Sequence, residues 1–419
     1  MSLGSFSSLY TLFRRFKLHN QANRLSFIGA SLSLMATYVA SATAIPLYGL
    51  YQSVDGLTYS DLALSSVVYF IGAVIALIIF GRLSNHFGRK PISILSVLLA
   101  GLSCLVFLNI HSAYPLLAGR FLQGLACGLA STALAAWVVD CADTVPRWIA
   151  PAVISCGPMT GLTIGGLGSG LLVEYGPIPR QLPFFIVIGL TIASIVLLFQ
   201  AKETMDRKNG ALKSLKPSFS LPPISRKAYP IAACTFVATW ALGGFFQAFG
   251  PAMAREQLHS TSAVAAAFVF ASIMAPSSIG ASLAGRYSAK TAQLAGMVLF
   301  TLFLGCVILS LNLGWLSTFL LASVFTGIAQ GMVLTGSIRT MVSDIATEDR
   351  ANVFAVIYAT SYLGAAIPTL IAGRLSTSFS LLEISCGYGL LAIFASCVVV
   401  LSKVRNTSSM ADSNTSLIK

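Results

Sequence analysis

The chain has 419 residues, of which 56% are hydrophobic and only 9% charged, and its net charge is +13. Soluble domains carry about 25% charged residues, so that class is excluded and the lipid bilayer is left as the solvent. The cations sit in short segments between apolar runs and offer no basic face to a nucleic acid, which is not an expected partner.

Residues 5–25 set Phe6, Leu9, Leu12, Phe13 and Phe16 against Arg14, Arg15, Lys17 and Arg24. This basic amphipathic lead is expected to lie on the cytoplasmic face of the membrane. Apolar runs follow at about 27–49, 60–80, 91–110, 114–138, 149–173 and 183–200, here spans 1 to 6. Each is about as long as a helix needs to cross a hydrocarbon core of ~30 Å. The polar lead is too long for a secretory signal and many runs follow, so the first is read as a retained helix. A polar stretch, Ala201 to Lys227, contains Pro217, Pro222 and Pro223. Spans 7 to 12 then come at about 229–250, 263–284, 292–311, 315–338, 352–373 and 382–402.

The predicted fold is an all-α membrane protein of twelve transmembrane helices in two pseudo-symmetric six-helix halves. Its expected divisions are a lead (1–25), halves at 26–200 and 229–402, a middle loop (201–228) and a tail (403–419). With the amino terminus inside, 22 of the 26 cations fall on the cytoplasmic side. Arg180, Arg255 and Arg374 fall outside and Arg120 lies within span 4. That asymmetry predicts cytoplasmic termini. The halves repeat: Gly81-Arg-Leu-Ser returns as Gly285-Arg-Tyr-Ser, and Arg147, Gly161 and Gly170 return as Arg350, Gly364 and Gly373. Gln123-Gly124 is matched with Gln330-Gly331, shifted by a few residues. Two parallel repeats with a path between them are the arrangement of a secondary transporter.

The turn Gly81 to Pro91 carries Arg82, Arg89 and Lys90 between two uncharged runs, and Gly81 and Gly88 suit a sharp turn. Arg120 lies about six residues into span 4, where a cation is costly unless it faces water or a partner. Either it snorkels to the outer interface or it stands on a cavity wall, with Gln123 one turn away on the same face. Span 5 reads Gly157-Pro158-Met-Thr-Gly161-Leu-Thr-Ile-Gly165-Gly166, with small residues every four positions for close helix approach and a proline that can bend it. No Asp or Glu falls near the middle of any span. A proton-coupled carrier needs a titrating group in reach of the path, and Asp61, at the outer start of span 2, is the candidate. Tyr38, Ser41, Thr43, Tyr69, Trp240, Phe246, Gln247, Gln330, Tyr358 and Tyr362 are candidate pocket residues. An aromatic pocket with one cation suits uncharged or anionic amphipathic compounds better than sugars. The eight cysteines include no C-x-x-C pair, so they predict no metal site or disulfide framework and read as small core hydrophobes. There is no nucleotide-binding loop with Lys-Ser/Thr and no nucleophile–base constellation, so neither a cofactor nor an enzyme is expected.

Three motifs carry a resemblance. Gly81, Leu83, Gly88, Arg89 and Lys90 match the loop signature between helices 2 and 3 of the major facilitator superfamily, with Asn85 in place of its usual acid. Arg120, Gln123, Gly124 and Gly128 resemble that family's span-4 motif, whose arginine is implicated in proton handling in efflux members. Gly157, Pro158, Gly161, Gly165 and Gly166 resemble the exporters' antiporter signature. The resemblance covers about residues 26–402 and is most similar to the bacterial drug-efflux branch. It implies a cytoplasmic gate in which Arg89 pairs with Asp140, a weaker copy at Asp344 near Arg286 and Arg339, and a contact from residue 85 to the start of span 11 near Arg350 that Asn85 weakens. It also implies a multi-pass, monomeric protein of the bacterial inner membrane. The expected activity is alternating-access export of small amphipathic compounds against inward protons. An uptake carrier or facilitator, and a non-transporting membrane sensor on the same fold, are the alternatives.

Overall fold

The computed structural model describes the backbone of residues 3–146, 149–215, 221–342, 345 and 347–416. Side chains are described from residue 23 to 402, apart from 144, 213, 214 and 347–351 and the residues without backbone. Hydrocarbon cannot hydrogen-bond a peptide group, so a spanning segment must satisfy its own backbone as a helix. Among the described residues, twelve helices are long and apolar enough to do so. Spans 1 to 6 are Asn23–Asp55, Tyr59–Phe80, Arg89–Phe107, Ala113–Asp140, Ile149–Tyr175 and Leu182–Gln200. Spans 7 to 12 are Pro223–Glu256, Ala263–Ala284, Ala289–Leu313, Leu316–Val342, Asn352–Leu375 and Leu381–Ser402. Among the described residues there is no strand. Twelve crossings return the chain to the side it started from, here called the terminal face; the opposite side is the far face.

The lead and span 1 are one helix, Leu3–Thr43. It ends where Pro46 enters a short 3₁₀ turn, Ile45–Leu47, and Tyr48–Asp55 completes the crossing. At the far face Asp55 is held by Arg180 at 2.8 Å, tying span 1 to the loop before span 6. Span 2 begins with a capping box in which Thr58 and Asp61 satisfy each other's backbone N–H groups.

Span 4 packs on span 2 through glycines. A Cβ on Gly124 would strike the carbonyl of Tyr69, and one on Gly128 would meet Ala73 and Ala76. The second half repeats this seam: Gly327 lies on the carbonyl of Ile273 and Gly331 on that of Ser277. Contacts therefore pair Gly124 with Gly327 and Gly128 with Gly331, rather than Gln123-Gly124 with Gln330-Gly331. Ser323, not another cation, stands one turn before Gly327 as Arg120 does before Gly124.

The two halves close on each other at the far face. Ser60 Oγ donates to the Gly373 carbonyl at 2.8 Å, joining span 2 to span 11. Glu174 accepts the Ala263 N–H at 2.7 Å, joining span 5 to span 8. Arg255 reaches Gln52 at 3.1 Å, joining span 7 to span 1.

Candidate substrate path and gate

Arg120 is fully buried and faces span 1 and span 2, not lipid. Its Nη1 donates to the Ser41 carbonyl and to Gln123 Oε1, both at 2.8 Å. Gln123 Nε2 in turn donates to the Ala40 carbonyl at 2.6 Å. Those carbonyls lie next to the helix break at Pro46. The guanidinium also sits over the Tyr69 ring, 4.5 Å from its centroid, a cation–π contact that gains strength away from water. Arg120 Nε and Nη2 have no partner among the described residues, and neither has the nearby Ser41 Oγ. The snorkelling alternative is overturned: nothing of Arg120 reaches an interface.

Aromatic rings run from this guanidinium across to the second half. Tyr69 meets Phe70 edge-on at 5.4 Å, Phe70 meets Tyr362 of span 11 at 6.0 Å, and Tyr362 meets Trp240 of span 7 edge-on at 4.8 Å. Tyr38 lies in the same apolar cluster, its hydroxyl 2.6 Å from Ser131 Oγ. Ser131 belongs to a π-helical turn, Ala130–Leu134, that interrupts span 4; such turns re-aim side chains locally.

At the terminal face the candidate gate is an ion pair with neutral supports. Arg89 Nε lies 2.9 Å from Asp140 Oδ2 across the gap from span 3 to span 4. Arg89 Nη1 donates to Asn85 Oδ1 at 2.6 Å and Ser84 Oγ at 2.9 Å. Asn85 thus keeps the hydrogen bond while leaving Asp140 as the carboxylate on this guanidinium. Gly88 adopts φ 102°, a conformation that side chains resist. Glu203, just beyond span 6, accepts the N–H groups of Arg89 and Lys90 at 2.8 and 2.9 Å. Those are orphan donors of the first turn, and the helix dipole favours an anion there. Thr204 adds a bond to Asp140 at 2.9 Å. Lys90 Nζ reaches the Phe199 carbonyl at 3.1 Å, and Gly81 opens the turn against Thr132. Replacing Glu203 with Ala is expected to cost about 1 kcal/mol, read as a lower unfolding midpoint in detergent.

Span 5 lies between the halves. Gly161 and Gly165 pack on the backbone of span 1 at Met35 and Val39, while Gly166 meets Phe270 and Gly170 meets Ala267 of span 8. Gly157 makes an ordinary contact with Met35. Pro158 has no N–H for the Ile154 carbonyl, so the helix is softened beside its tightest seam. Gly165→Val forces spans 1 and 5 apart and is expected to cost about 1–3 kcal/mol, measured as loss of folded protein on heating.

A family model described as Major Facilitator Superfamily matches residues 27–367. The chain belongs to the Major Facilitator Superfamily. That superfamily is one of membrane transporters, not of enzymes. Multidrug resistance protein 2 of Bacillus subtilis is 25% identical over 228 residues, covering 54% of this chain and 55% of that protein. The class B tetracycline resistance protein of Escherichia coli is 29% identical over 136 residues, covering 31% and 32%. Among the curated relatives it matches, the chain spans at most about half of their length. A partially occluded, inward-open structure of the xylose transporter XylE from E. coli superposes with a TM-score of 0.68 at 14% identity, over 90% of this chain and 97% of that one. At that identity the likeness shows the superfamily fold alone.

Other expected positions fall elsewhere in this superfamily fold. Asp61 accepts the Thr58 N–H and hydroxyl at 2.8 and 2.7 Å, half-buried at the far end of span 2. The structure does not bring it to Arg120. Gln247 is buried in span 7, and Gln330 is buried in span 10 with an unpartnered Oε1. Arg339 donates to the Ala284 and Tyr287 carbonyls at 2.8 and 2.9 Å. Asp344, Arg147 and the Arg350 side chain lie outside the described residues. Of the eight thiols, Cys306, Cys386 and Cys397 are exposed on their helices rather than in the core. The Glu203 cap was missed; the Thr58-x-x-Asp61 spacing announces its own.

Proposed function

We propose that the protein exports small amphipathic compounds with aromatic parts by alternating access, driven by inward protons. The path we assign runs between the halves, from Arg120 over Tyr69 and Phe70 to Tyr362 and Trp240. That continuous line of rings ending on a buried cation is the observation that carries the reading. It is supported by the pliable glycine–proline helix between the halves and by relatives titled for drug resistance. The terminal face is assigned to the cytoplasm of a bacterial inner membrane by its cations, with Asp61 as the proton acceptor and one chain as the working unit. Closure of the far face leaves the Arg89–Asp140 gate as the contact to be broken and remade.

A second reading, a facilitator without proton coupling, is favoured by the lack of any Asp or Glu near the middle of a span. Purified protein in liposomes decides between them. Export requires that an imposed pH gradient drives fluorescent amphipathic compounds uphill; downhill flux indifferent to the gradient supports the facilitator, and no flux rejects both. Asp61→Asn is expected to keep downhill flux and lose the uphill component.

A further inference from the structure

We infer that the central site takes organic anions, a monovalent acceptor group on an aromatic body, with Arg120 as counter-charge. The inference rests on the transport reading above and names its substrate class. Arg120 is a cation without a matching anion. Among the described residues no carboxylate oxygen lies within ion-pair distance of it. The acids of the spans stand at the ends: Asp55, Asp61, Glu174, Glu256 and Glu383 at the far face, with Asp55 already joined to Arg180, and Asp140 at the terminal face, already joined to Arg89. A buried charge with no partner is strongly disfavoured, yet two guanidinium nitrogens and Ser41 Oγ remain unpartnered there. Those three groups can all donate hydrogen bonds, and together they form a half-built receptor for an acceptor.

The rings supply the rest. Tyr69, Phe70, Tyr362 and Trp240 stand ring against ring from Arg120 to span 7, so a flat apolar body entering as the halves part meets aromatic edges and faces. A lipophilic cation would seek such faces too, but Arg120 itself already occupies that of Tyr69. Even a unit charge held as far as about 8 Å from the guanidinium, at an effective dielectric of ~20, changes binding by a factor of about 30, and one hydrogen-bonded to it changes binding by more. The sign favours anions and opposes cations, and neutral compounds fall between.

Three compounds of one skeleton test this at pH 7: 2-naphthoate, 2-acetylnaphthalene and (2-naphthylmethyl)trimethylammonium. Binding to the purified full chain is read by quenching of tryptophan fluorescence. Naphthoate is expected to bind at least about tenfold tighter than the ketone, and the ammonium compound weakest. Gln123→Glu places a carboxylate where an amide oxygen now lies 2.8 Å from Arg120 Nη1. It neutralises the cation in place with no change in size, so the preference for naphthoate should vanish and the ammonium compound should gain about tenfold. Arg120→Lys keeps the charge and should keep the order. The inference is overturned if the cation binds tighter than the anion, if Gln123→Glu leaves the order unchanged, or if none of the three binds at millimolar concentration. Transport of the same compounds in liposomes is scored separately. Anion-selective binding without flux rejects the export reading alone, and flux without charge preference rejects the anion site alone.

Discussion

Arg120→Ala is expected to reduce transport to background while the protein still inserts and folds. The seams that hold span 4 are made by Gly124 and Gly128 against span 2, and they do not involve the guanidinium. Truncation leaves the Ser41 carbonyl and Gln123 Oε1 without their donor, at about 1–3 kcal/mol each at most. It also removes a buried cation that has no anion, which offsets that cost. Stability therefore changes little. Transport changes completely, because the electrostatic feature at the end of the aromatic line is gone. Matched expression, a matched unfolding midpoint and zero flux in liposomes are the expected set. Flux near the unaltered level would end the role given to Arg120.

Asp140→Asn is the second large effect, and Asn85 is the reason. With a neutral residue at 85, Asp140 carries the charge opposite Arg89, whose side chain is 9% exposed against 27% for Asp140. A surface pair is worth up to about 1 kcal/mol, and breaking a buried one costs about 3–5. This pair lies between, so about 2 kcal/mol is expected, a shift of roughly 30-fold toward an open terminal face. Transport should fall by about tenfold or more. The double variant with Arg89→Gln should be no worse than Arg89→Gln alone, since both remove one interaction. Strictly additive losses would show that the two residues act apart.

Most of the architecture was legible because the bilayer leaves so few solutions. Runs of about twenty apolar residues must be helices, and each observed span overlaps its expected range. The Arg89 turn and the Gly-Pro helix were legible for a related reason: charge and glycine are conspicuous against an apolar background. Partnerships across the sequence were less so. Glu203 sits 114 positions from Arg89, in a polar stretch where a carboxylate is ordinary. Gln330 attracted a false match to Gln123 because the dipeptide Gln-Gly recurs, whereas the repeat follows glycines that contact backbone. Tyr69 was one of four tyrosines legible as candidate pocket residues, and only its position under Arg120 separates it from the other three.

Alternating access requires two halves that part at one face and close at the other. Glu174→Cys and Ala263→Cys, in a chain whose native cysteines are replaced, place thiols on spans 5 and 8 at the far-face closure. Bridging them with a short, reducible cross-linker and measuring flux in liposomes tests it directly. Flux is expected to stop when the bridge is complete and to return when the linker is cleaved. Undiminished flux through fully bridged protein would contradict it.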